Sequence, residues 1–71
     1  MTTLLYVNII NNGTIIVNCS LNGEAVAVYT TGGMLVGTTT IENGSATIAT
    51  GLSKGIIAII KIGEKSVKVI I

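Results

Sequence analysis

The chain has 71 residues, four Lys, three Glu, a single Cys and a formal charge of +1, with no Arg, Asp, His, Trp, Phe or Pro. That inventory excludes the usual general bases, nucleophilic triads and His/Cys metal clusters, so neither an enzyme nor a cofactor or metal site is expected. A charge this small without Arg leaves no electrostatic footprint for nucleic acid.

Length allows one small domain. Ile, Val and Thr supply 30 of the 71 residues. Two substituents on Cβ suit a pleated strand and crowd a helix, so composition points to an all-β domain. The chain is 49% hydrophobic and only 10% charged, which leaves little charge to protect strand edges. The longest aliphatic run, Ile56 to Ile60, falls far short of the roughly 18 residues of a spanning helix. Seven short strands on one chain also cannot close a membrane barrel alone. Met1-Thr2-Thr3 has no basic n-region and no cleavage site follows. The expectation is a cytoplasmic protein or a piece of a longer secreted one. Cys19 by itself leaves the redox compartment open.

Turn signals recur at an even pitch: Asn12-Gly13, Asn22-Gly23, Gly32-Gly33 and Asn43-Gly44. These dipeptides supply the positive φ angles that two-residue hairpin turns need. The segments between them read as strands. Tyr6 to Ile10 is the first. Thr14 to Cys19 is the second, with Ile15, Val17 and Cys19 on one face. Ala25 to Thr30 is the third, with Val26 and Val28 opposite Tyr29. Met34 to Ile41 is the fourth, and Ser45 to Ala49 the fifth, with Ala46 and Ile48 on one side. Ile56 to Ile62 is the sixth; it is apolar on both faces and is therefore expected to be central. Ser66 to Ile71 is the seventh, with Val67, Val69 and Ile71 on one face and Lys68 on the other. No helix is expected. Thr50 to Gly55 is the one long connection, placed as a crossover between sheets. Seven strands at this spacing predict an antiparallel β-sandwich, with a small barrel as the alternative. Residues 1–5 are expected to fray or to be foreign to the domain.

The candidate chemical groups read as structural. Cys19 alternates in phase with Ile15 and Val17, as a buried thiol would. Glu24, Glu42 and Glu64 sit beside turn Gly or Asn residues, too scattered for a paired-carboxylate site. Tyr6 and Tyr29 lie on separate strands and make no stacking shelf. Lys54, Lys61, Lys65 and Lys68 crowd the last eighteen residues. They act either as edge protection or as a one-sided basic strip for a partner.

The run Val28-Tyr29-Thr30-Thr31-Gly32-Gly33-Met34-Leu35-Val36 resembles the V-Y-x-x-x-G-x-x-V signature of the C-terminal sorting domains of the type IX secretion system of Bacteroidetes. Val28, Tyr29, Gly33, Leu35 and Val36 match; Thr30 stands where Asp or Asn is usual and Met34 where Arg is usual. Leu52-Ser53-Lys54-Gly55 is similar to the L-x-x-G block before the penultimate strand. Ile56 to Ile62 follows with one additional residue, and Ala58 stands where Tyr is common. Lys65 to Ile71 is similar to the terminal K-x-x-K-V-I-V strand.

The resemblance covers Asn12 to Ile71 and implies an Ig-like sandwich of about seven strands over 12–71. Residues 1–11 are then an N-terminal segment, linker or foreign sequence together with the first strand. It also implies a non-catalytic address label at the C-terminus of a larger secreted protein. The fused cargo would pass through the periplasm to the outer-membrane translocon, where a sortase removes the label and the cargo is attached at the cell surface. Lys61, Lys68, Val69, Ile70 and Ile71 are the expected recognition element, and Gly33 and Gly55 structural corners. The competing expectation is a structural or adhesive Ig-like module that self-associates through its edges. A homodimer of the isolated domain is compatible with either.

Overall fold

The computed structural model describes residues 5–71. Seven strands form two antiparallel sheets packed face to face: β1 (Leu5–Ile10), β2 (Thr14–Cys19), β3 (Ala25–Thr30), β4 (Leu35–Thr40), β5 (Ser45–Ala49), β6 (Ile57–Ile62) and β7 (Lys65–Ile70). One sheet has the order β1-β2-β5 and the other β4-β3-β6-β7. The result is an Ig-like sandwich, not a barrel. Its pairings of β2 with β5 and β3 with β6 are those of the Ig fold, while β4 bonds to β3 and joins the larger sheet.

The core follows from the alternation. Ile15, Val17 and Cys19 of β2 and Ala46 and Ile48 of β5 face Val26 and Val28 of β3 and Ala58, Ile60 and Ile62 of β6. No polar or charged side chain is buried among the described residues. Each Ile or Val so buried contributes about 1.5–3 kcal/mol. That dense aliphatic packing stands in for the disulfides or metals that stabilise many small domains. The sixth strand is central as expected, between β3 and β7. Ala58 is fully buried and pairs with Thr30 and Val69, a position where a larger side chain would need room.

The turns differ from the expectation of uniform two-residue hairpins. Asn12-Gly13 does close the β1–β2 hairpin, but as a three-residue 3₁₀ turn, Asn11–Gly13, because Ile10 pairs with Thr14. Asn22-Gly23 joins strands in different sheets. So does Asn43-Gly44, a tight turn with both φ values positive, closed by the Glu42–Ser45 bridge. The β6–β7 hairpin turns on Gly63-Glu64, with Gly63 at φ +57° in the first central position, as a II′ turn requires.

Strand limits shift by a residue at six ends, in β1, β4, β6 and β7. Met34, Ile41 and Ile56 lie outside β4 and β6, and β7 runs from Lys65 to Ile70. Met34 is held in the turn, its amide donating to the Thr30 hydroxyl at 3.2 Å. β4 carries a bulge: Val28 opposes Gly37 and Tyr29 opposes Leu35, leaving Val36 as the extra residue. Leu5 was expected to fray but begins β1, pairs with Cys19 and packs against the core. Residues 1–4, the rest of that expectation, lie outside the described residues. The Thr50–Gly55 connection crosses between sheets as expected, with Leu52 tucked against the core.

Candidate interaction surface

The two flanks of the sandwich are built differently. On one, β4 lies against β5 and the seam is tight. A Cβ placed on Gly37 would stand 2.9 Å from Ile48 Cγ2. Ile41, Ala46 and Ile48 there are no more than 5% exposed. On the other flank β1 and β7 are both edge strands. Their inward residues, Leu5, Val7 and Ile9 on β1 and Val67, Val69 and Ile71 at β7, are all half-exposed. A cleft of about 720 Å³ opens at the lower end of this flank, where Ile9, Leu52, Lys54 and Ile71 come together.

β7 is fixed to β6 through its odd-numbered residues. The Ile71 amide donates to the Ile56 carbonyl at 2.8 Å, and the Gly55 amide donates to the Ile71 carbonyl at 2.7 Å. Antiparallel bonding alternates along a strand. Ser66, Lys68 and Ile70 therefore point their backbone N–H and C=O groups away from β6, toward the open edge. Their side chains are exposed on the outer face.

The expected recognition set is thus divided by the pleat. Lys61, Lys68 and Ile70 face outward, whereas Val69 and Ile71 turn inward and pack against the core. Lys68 pairs with Ile59, which pairs with Tyr29, which pairs with Leu35. This row crosses the outer face from a cation to an exposed Leu. Lys61 stands one row away, between Ala27 and Ser66. A shallow depression of about 400 Å³ forms beside Tyr29, Ile59 and Lys61.

The motif residues take distinct structural posts. Val28 is core and Val36, the bulge residue, packs on it; Tyr29 is half-buried on the outer face and Leu35 is exposed there. Leu52 anchors the crossover. Gly33 and Gly55 hold φ near +90°, where an L side chain is strained.

The remaining candidates fall as follows. Cys19 is a buried free thiol. Glu24, Glu42 and Glu64 lie in or beside the three connections at one pole, held near one another by bonds such as Gly44 amide to Asn22 Oδ1 at 2.7 Å. Among the described residues no group of three His, Cys, Asp or Glu is placed to hold a metal. Tyr6 is exposed on the outside of the β1-β2-β5 sheet, so the two Tyr face opposite ways. The open β1/β7 flank was not legible in the sequence, because it depends on which strands end up at the edges.

Fold and surface together define a class: a small Ig-like β-sandwich with no buried polar or charged side chain among the described residues, closed on one flank and open on the other. No family model matches the chain, and no curated protein matches it.

Proposed function

We propose that this chain is a non-catalytic sorting domain, the C-terminal label that directs a larger secreted protein through the type IX outer-membrane translocon. The label is read by the translocon and cut by its sortase, and the cargo fused N-terminal to it is left at the cell surface. One observation carries this reading. β7, the strand of the third family-like block, is an edge strand with an unpaired backbone face and an outward Lys68. An edge strand offers a partner both backbone hydrogen bonds and side-chain specificity. Gly33 and Gly55, which match the first two blocks, sit at positive-φ corners, in keeping with the role that the resemblance gives them.

The test is a reporter fused ahead of the chain in a bacterium that has the translocon. The intact domain should deliver the reporter to the cell surface. Lys68→Ala should lower delivery while leaving the purified domain within about 0.5 kcal/mol of the parent in stability, as a surface change does. Normal delivery by Lys68→Ala removes the Lys68 assignment. Failure of the intact domain to deliver removes the whole reading.

The exposed Met34, Leu35 and Ile70, at 70%, 53% and 67%, favour a second reading, an adhesive or spacer module. Its mark is molecular size that rises with concentration.

A further inference from the structure

The open flank presents three things at once: half-covered apolar residues on its inner side, an unpaired backbone edge, and cations without strand carboxylates. β1 carries no charged residue, and β7 carries Lys65 and Lys68, with Lys54 at the lower end of the cleft. The nearest carboxylate in sequence is Glu64, in the β6–β7 turn.

We infer that the β1/β7 flank is a strand-accepting seam: an extended segment of another protein, alternating acidic and apolar residues, adds to β7. It would bond to the free N–H and C=O groups of Ser66, Lys68 and Ile70. Pleating sets its pattern. The carboxylates belong on the outer face, one of them opposite Lys68. The residues between them turn inward and cover Val67 and Val69. The inference deepens the proposed function, and rests on it only in taking β7 as the element that is read.

Two other occupants fit less well. A second copy pairing β7 with β7 brings Lys65 and Lys68 against the same cations, and like charges across strands repel. A lipid surface would satisfy the cations but leave the backbone edge without ordered partners.

The probe is a blocked ten-residue peptide of alternating Glu and Val, added to the isotope-labelled chain. Amide hydrogen exchange at Ser66, Lys68 and Ile70 should slow at least tenfold with peptide, while the Tyr29 and Ala27 amides, already bonded within the sheet, stay unchanged. Lys68→Glu should weaken binding about tenfold, and a Lys/Val peptide should restore it to the variant. Unprotected edge amides, equal binding of both peptides to the parent, or the same protection from anionic vesicles would each overturn the seam. So would a dimer that protects these amides without peptide. The export reading fails separately. If the peptide binds as expected but the intact domain does not deliver its reporter, the seam stands and the sorting function falls; if the intact domain delivers but no peptide protects the edge, the sorting function stands and the seam falls.

Discussion

The Gly13 carbonyl accepts the Thr50 hydroxyl at 2.6 Å, and the Thr50 hydroxyl in turn accepts the Leu52 amide at 3.1 Å. The first hairpin and the crossover are thereby joined at one oxygen. Gly13 sits at φ +70°, and a Cβ there would lie 2.6 Å from the Leu52 carbonyl oxygen. Conformation and space both demand glycine. Gly13→Ala should destabilise the domain by about 2–4 kcal/mol, from backbone strain plus overpacking. Thr50→Val keeps the shape but removes the hydroxyl, and should cost about 1–2 kcal/mol. Urea denaturation followed by circular dichroism separates the two; a neutral Gly13→Ala would mean that the crossover simply moves aside.

Gly37 and Ile48 make the corresponding contact on the closed flank, where the ideal Cβ position is 2.9 Å from Ile48 Cγ2. Gly37→Ala should cost about 1–3 kcal/mol by overpacking, and Ile48→Ala about 2–4 kcal/mol through the cavity it leaves. The two faults are complementary, since the added methyl enters the space that Ile48 vacates. The double variant should therefore be less destabilised than the sum by at least about 0.5 kcal/mol. Strict additivity in a double-mutant cycle would show that β4 shifts instead of clashing.

Cys19 is 2% exposed, and its amide is bonded to the Gly44 carbonyl at 3.0 Å. A thiol so enclosed reacts only when the domain opens. Labelling with an aromatic disulfide should be slow in the native protein and immediate in denaturant. Cys19→Ser, which places a hydroxyl without a partner in the core, should cost about 1–3 kcal/mol. Rapid native labelling would place the β2 end in exchange with an open state.

How far the fold was legible depended on the kind of information needed. Thr14–Cys19, Ala25–Thr30 and Ser45–Ala49 were readable to the residue, because inward residues alternate along each and a Gly lies within two residues of its start. Which turns are hairpins was not readable. Asn12-Gly13 and Asn22-Gly23 are the same dipeptide, yet the first joins neighbours and the second changes sheets. The difference lies in distant contacts, such as the Gly23 amide donating to the Ile41 carbonyl at 2.9 Å. The bulge at Val36 was equally hidden, although a glycine within a strand, Gly37, often marks such a close approach. For the surface, alternation correctly put Lys68 opposite Val67 and Val69. Grouping Val69 and Ile71 with Lys68 as one recognised element ignored that same alternation, which turns them into the core.

That division of β7 yields the sharpest separation of folding from recognition. Val69 packs inward and Lys68, its neighbour, points to solvent. Val69→Ala should cost about 1–2 kcal/mol, the amount expected from a half-buried methyl pair, and should lower the melting temperature. Because it leaves the outer face intact, reporter delivery below that melting temperature should persist. Lys68→Ala should do the opposite, leaving the melting temperature nearly unchanged and reducing delivery. Deleting Lys68 to Ile71 cannot make this distinction. It removes two core-packed side chains together with the Ile71 bonds to Gly55 and Ile56 at 2.7 and 2.8 Å, so loss of export would follow from unfolding alone. If Val69→Ala abolishes delivery while the protein is still folded, the inward side of β7 is read as well as the outer face.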